Sequence, residues 1–318
     1  MHRVTADDPN AAPPNPAPVT VRLPAGPTVH ILQTGWVSVK RPHRAFGGVD
    51  ALALPAILAS NAWTPWLPVT ATVIEHPEGI VVVDTGETAR IAEPDYTACD
   101  AITGWFYGAN LRFAVRRQDE IGPQMERIGL DPRDVASVVM THLHSDHVGG
   151  MGHFPNARFL VSRADARGHA GALMCMLPAE ARRVAVEHDG PAAGAFAGSH
   201  AVTGDGFVRI VPTPGHSRGH QSVLLGDDAR SWLVAGDAAF DTGQIERGEV
   251  AASRRIAMPP SAHSRCSASS ASATAPPSCR PTIRARLRAS RRRARRHPCA
   301  GCAVLHARAR SPSVRLVL

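Results

Sequence analysis

Apolar residues in this chain fall into short runs, each closed by a glycine, an aspartate or a histidine, and such bounded runs read as buried strands. The pattern predicts strands near residues 69–75, 80–84, 136–140, 158–162, 207–212, 221–225 and 232–235. The clearest helix covers 119–128: Ile121, Met125 and Ile128 repeat at i, i+4 and i+7, and Gly129 and Pro132 close it. Strands alternating with helical stretches predict a sheet covered by helices. No repeat is visible at the residue level.

Composition sharpens this picture. The 318 residues are 44% hydrophobic, enough for a sizeable core in one large or two ordinary domains. No apolar run reaches the roughly 18 residues that a membrane span needs, so no membrane partner is expected. Residues 1–28, rich in Pro, Ala and Asp, lack a basic flank and an apolar stretch, and read as a disordered leader. The formal net charge of +8 is segregated: residues 251–318 hold fifteen Arg and no Asp, Glu or Lys. Taking those fifteen from the 35 Lys and Arg leaves 20 against 27 Asp and Glu, a net −7 for residues 1–250. Cys99 and Cys175 lie in this acidic body and the other four cysteines in the tail, which gives no disulfide framework and fits a reducing cytoplasm.

Chemistry concentrates where three of the apolar runs end. From Thr141 to Gly150 the chain reads Thr-His-Leu-His-Ser-Asp-His-Val-Gly-Gly, three imidazoles and a carboxylate within positions 142–147. A catalytic zinc takes such ligands at about 2.0–2.2 Å and keeps one position for water. His142 and His144, two apart in extended chain, point to one side, and with Asp146 and His147 they can supply two adjacent ions. In the glycine-containing turn 212–222, His216 is aimed inward as a third histidine, and His220 reads as a hydrogen-bonding support rather than a ligand. Asp237 ends an apolar strand, where a carboxylate could bridge two ions but by itself reads as a strand-end cap; Asp84 ends another and reads as orienting the histidine loop. The remaining histidines of the body, His169 and His43 among them, read as structural or surface residues.

Taken in order, Asp84-Thr-Gly, His142-x-His-x-Asp-His, Gly215-His216 and Gly236-Asp237 resemble the metallo-β-lactamase superfamily over about residues 29–250. Within it, the runs 140–150 and 213–222 are most similar to N-acyl-homoserine lactone lactonases. The resemblance implies an α+β fold, an αββα four-layer sandwich of two sheets with helices outside. It also implies two zinc ions per chain: His142, His144 and His216 hold one, Asp146 and His147 the other, and Asp237 bridges them. A hydroxide held between the metals would open a small ester or lactone, since two cations lower the pKa of bound water and polarise the carbonyl. Asp146 would handle the proton as the tetrahedral intermediate collapses. Quorum quenching would be the corresponding role.

Two positions depart from that pattern. Phe240 stands where the lactonases carry a tyrosine that binds the lactone carbonyl, and Arg218 stands where a proline is usual. Further on, the Gly/Ser-His-Asp motif that supplies the second zinc's last histidine is missing. The tail admits three readings: a basic arm for nucleic acid, a Cys/His metal site at 297–302, or a stretch translated out of frame. The third is favoured. Degenerate codons for residues 278–284, read from the third base, permit Leu-Pro-Ser-His-Asp-Pro, and those for 257–277 permit a leucine-rich helix and a strand. A frameshift near residues 250–254 would cost the second metal a ligand and leave the tail disordered.

The leading expectation is therefore a zinc-dependent hydrolase of a small ester or lactone. Hydrolysis of a thioester, phosphotriester or sulfate ester, and a catalytically impaired remnant, are the alternatives. Trp105, Phe106 and Tyr107, with Trp63 and Trp66, are candidates to line an apolar acyl pocket.

Overall fold

The computed structural model describes residues 12–24, 26–44, 50–93, 95–227 and 230–239, and the backbone of 313–317. The first sheet is built from β1 (Val19–Arg22), β2 (Thr28–Val39), β3 (Leu67–His76), β4 (Gly79–Val83), β5 (Leu111–Ala114), β6 (Val135–Val139), β7 (Arg158–Ser162) and β8 (Arg182–Val186). Its order is β1-β2-β3-β4-β6-β7-β8, with β5 paired to β2. The second contains β9 (His200–Ala201), β10 (Val208–Pro212), β11 (Gln221–Gly226), β12 (Arg230–Val234) and β13 (Ser313–Val317), in the order β13-β12-β11-β10-β9. The described α-helices are α1 (Arg41–Arg44), α2 (Ala53–Ala59), α3 (Ala101–Asn110), α4 (Ile121–Arg127) and α5 (Ser145–Val148).

The layers follow from side-chain alternation in the parallel strands β4, β6 and β7. Successive residues point to opposite faces. Val81, Val83, Val139 and Leu160 face the second sheet and pack with Ile210, Val223, Leu225 and Trp232. Their neighbours Val82, Val138, Phe159 and Val161 face the other way, into a core closed by Ile121 and Met125 of α4 and Val148 of α5. Both faces are thus apolar, which is why these strands read as unbroken hydrophobic runs. On the outer face of the second sheet, Val211 and Leu224 pack with Ala193 and Phe196 from a loop.

Each of the seven expected strands is present, within two residues at either end, and α4 takes the place of the expected helix. The sequence reading missed β2, twelve residues long, because its polar Gln33, Thr34 and Ser38 break the apolar run although all three are buried. It also placed disorder over residues 1–28, where Val19–Arg22 instead forms a strand paired antiparallel to β2. Alternating Val-Thr-Val-Arg suits a half-buried edge. The absence of a disulfide framework is corrected too: Cys99 and Cys175, 76 residues apart, are bonded. That removes one ground for expecting a reducing compartment. No described helix is long and apolar enough to cross a membrane. The tail's final apolar positions, Ser313–Val317, pair in parallel with β12. Phe240, the remaining tail cysteines and the proposed reading-frame junction lie outside the described residues.

Candidate metal centre

Four strands end on one rim, and the loops that leave them carry the side chains singled out above. Strand β4 delivers Asp84, the only non-glycine described residue with a positive φ, 56°. A left-handed aspartate is uncommon and strained, and it persists where its carboxylate is firmly engaged. Here the carboxylate accepts from Thr141 N and Thr141 Oγ1, both at 2.7 Å, and from His147 Nδ1 at 2.8 Å. All three bonds come from the loop after β6. Asp84 therefore fixes that loop from behind and is fully engaged in doing so.

The network sets the tautomers of the histidines. Thr141 gives its own proton to Asp84, so its hydroxyl oxygen accepts from His142 Nδ1 at 3.1 Å and leaves His142 Nε2 free. His144 donates from Nε2 to the Ala170 carbonyl at 3.1 Å, leaving Nδ1 free. His216, from the loop after β10, brings its Nε2 to 3.0 Å from His142 Nε2 and 2.9 Å from His144 Nδ1; the latter two are 2.9 Å apart. Asp237 follows β12, and its two carboxylate oxygens lie 3.4 Å from His216 Nε2 and 3.2 Å from His147 Nε2. Asp146 is further off, 3.9 Å from His147 Nε2. Gly236 allows the tight approach of Asp237: its φ is +55°, and a Cβ there would meet Thr141 at 2.8 Å.

Charge divides these groups. Burial holds His142 and His144 well below the ordinary histidine value and pushes His216 down to about 3, so all three are neutral. Burial also acts against protonation of His147, but Asp84, Asp237 and Asp146 outweigh it and hold that imidazole well above the ordinary value. Asp146 is pushed up to about 6 by burial, whereas Asp237, despite burial, is held well below the usual carboxylate range by His147 and His216.

This donor set fits a divalent cation. His142 Nε2 and His144 Nδ1 are unprotonated acceptors turned to the buried point that His216 Nε2 also reaches, and these two cannot satisfy one another, which is costly away from water. An ion satisfies all three: ligands at about 2.0–2.1 Å round a tetrahedral metal lie roughly 3.3 Å apart, near the spacing found. His142, His144, His216 and Asp237 form one group able to hold a metal, with ligand atoms all within 4.8 Å of one another.

The other expected residues are distributed as follows. His220 shares a hydrogen bond with Thr213 Oγ1 through Nδ1 at 2.8 Å, and its buried Nε2 has no partner among the described residues. Tyr107 is buried; its hydroxyl donates to Gly171 O at 3.0 Å and accepts from Ser145 N at 3.4 Å. Phe106 packs against Ala53 and Ile57, and Trp105 is 62% exposed. Trp63 carries the Arg112 guanidinium 3.8 Å over its ring. Sequence reasoning missed Asp165 and His169, on the segment after β7. They are spaced i, i+4, and His169 Nε2 accepts from Leu143 N, between the first two histidines, at 3.0 Å. A lone His and a lone Asp carry no signal in sequence.

The chain is 32% identical over 182 residues to an N-acyl homoserine lactonase, AttM, of Agrobacterium fabrum, a match covering 55% of this chain and 66% of that one. It is 33% identical over 184 residues to a probable metallo-hydrolase of Mycobacterium bovis, covering 55% of this chain and 57% of the relative. The chain thus matches less than two thirds of the length of either relative. Among solved structures, an AiiA variant from Bacillus thuringiensis with N-decanoyl-L-homoserine at its active site shares the fold. Its TM-score is 0.54 at 24% identity, over 69% of this chain and 79% of that one. The pattern of the metallo-beta-lactamase superfamily matches residues 64–288, more than half of the sequence, and this chain belongs to that superfamily.

Proposed function

We infer that the protein is a metal-dependent hydrolase that opens a small ester or lactone, with an N-acyl homoserine lactone as the first substrate to test. The observation that carries this reading is the meeting of three imidazole nitrogens and the Asp237 carboxylate at one buried point. The naming of relatives as N-acyl homoserine lactonases supports the substrate class. Zinc suits a site of imidazole and carboxylate donors, although iron, manganese or cobalt accept the same set. His142, His144 and His216 would hold one ion; Asp146 and His147 would hold a second, with Asp237 between them.

When bound, such a cation supplies Lewis acidity and a water ionised near neutral pH. The protein's own part is orientation and proton handling. Asp84 holds His147 and Thr141 in place. Asp146 is pushed up to about 6, which suits it to take a proton and return it to a departing alkoxide oxygen.

The test is hydrolysis of a panel of acyl lactones, aryl esters, thioesters and phosphotriesters by zinc-loaded protein. Lactone and ester turnover abolished by a chelator is expected; selective turnover of a phosphotriester or thioester would move the substrate class, and none at all would overturn the reading. The tail after residue 250 is read, on codon degeneracy, as out of frame. Resequencing the coding DNA tests this, and constant base composition by codon position through the tail would overturn it.

A further inference from the structure

The metal-facing imidazoles ride on two loops from different sheets: 141–147 leaves β6, and 213–220 leaves β10. Neither loop alone fixes the distance between His216 and the pair His142 and His144. The segment after β7 touches both. Asp165, 1% exposed, accepts from Gly219 N at 2.9 Å through Oδ1 and from the Ser217 hydroxyl through Oδ2, so it grips the loop of His216. His169 accepts from Leu143 N at 3.0 Å through Nε2, so it grips the loop of His142 and His144 at the residue between them. The two grips meet, with Asp165 Oδ2 3.8 Å from His169 Nε2.

The same segment also decides which nitrogen His144 presents. Because His169 Nε2 accepts, its proton sits on Nδ1, which donates to Ala170 O at 3.0 Å. That carbonyl also takes the proton of His144 Nε2 at 3.1 Å, leaving His144 Nδ1 to face the site. The fit is close on both sides. A Cβ at Gly219 would lie 2.7 Å from Asp165 Cγ, and one at Gly171, whose φ is +85°, would lie 2.8 Å from His144 Nε2. Both nitrogens of His169 and both oxygens of Asp165 are engaged in these bonds.

We propose that Asp165 and His169 are positioning residues, a brace that joins the two histidine loops and sets their imidazole nitrogens on one point before a metal arrives. This rests on the metal-site reading above. Partners that orient ligands in this way are worth about 10–100-fold in metal affinity.

The test uses the full chain loaded with cobalt(II), whose visible absorption reports ligand geometry, with affinity measured by competition against a chelator. His169→Ala is expected to weaken cobalt binding by about 10–100-fold and alter the absorption band, with the unfolding midpoint of the metal-free protein little changed. His169→Gln, whose side-chain carbonyl can accept from Leu143 N, is expected to recover most of the loss. Asp165→Asn is expected to weaken binding as well, because its amide turns a donor toward a donor. Wild-type affinity and spectrum in His169→Ala would overturn the brace alone. Equal losses in His169→Ala and His169→Gln, tracking a lower metal-free midpoint, would also overturn it, by assigning the effect to folding. Failure of the unaltered protein to bind cobalt would overturn the metal reading and the brace together.

Discussion

At the corner formed by His142, His144 and His216, three neutral imidazoles face one point with their nitrogens 2.9–3.0 Å apart. At the corner formed by Asp146 and His147, a histidine held protonated by three carboxylates stands 3.2 Å from Asp237 and 3.9 Å from Asp146. The same six-residue run feeds both, yet only the second holds a proton where a ligand lone pair would be needed. Its imidazolium and carboxylates pair with one another, and a cation arriving there must displace a proton and break those contacts. At the first corner the imidazoles are neutral, with the Asp237 carboxylate 3.4 Å from His216 Nε2, and no proton has to leave before a cation is bound. The difference teaches that a site rich in ligand residues need not present two equal corners to a metal: one offers neutral imidazoles, and the other must give up a proton first.

The largest expected effect follows from breaking that corner. His216→Ala removes one of three converging nitrogens, and ester or lactone turnover should fall about a thousand-fold or more, the scale of losing several kcal/mol of charge stabilisation. Steady-state kinetics with metal-loaded protein check this. Stripping the metal acts on the same corner through stability. At free metal a thousand times Kd, binding stabilises the fold by about 4 kcal/mol, so chelation should lower the unfolding midpoint by several degrees. Calorimetry with and without chelator measures it.

Breaking the second corner should cost less. Asp84→Asn leaves His147 and Thr141 with a partner that can accept at only one atom, and metal affinity should drop about 10–100-fold. Metal competition reads that change directly. The smallest effect is expected from Gly236→Ala, which places a methyl 2.8 Å from Thr141 at a φ of +55°. A left-handed alanine costs about 1–2 kcal/mol, visible as a lower midpoint in denaturant titration.

What the sequence disclosed follows the same division. The clustered residues 142–147 were legible because ligand-type side chains are dense there and begin where a buried strand ends. Asp84 and His216 were legible for the second reason alone, and Asp237 only through the family resemblance, since by itself it reads as a strand-end cap. Asp165 and His169 were not, since what matters about them is a hydrogen bond to Leu143 and another to Gly219, contacts made only when β6, β7 and β10 end on one rim. The Cys99–Cys175 bond was hidden likewise: 76 residues separate its ends, and spacing alone does not show which turns meet. Strand β2 was masked by Gln33, Thr34 and Ser38, polar groups that are buried. Gln33 Nε2 bonds to Gly35 O, Thr34 Oγ1 to Val69 O and Ser38 Oγ to Thr64 O, so periodicity saw surface where there is interior.

The most direct test of the account is titration of cobalt(II) into metal-free protein, counting equivalents, for the unaltered chain, His142→Ala and Asp146→Asn. The account predicts a tight first equivalent that is lost in His142→Ala and persists in Asp146→Asn, with any second equivalent weaker. A first equivalent that survives His142→Ala and vanishes in Asp146→Asn would contradict it.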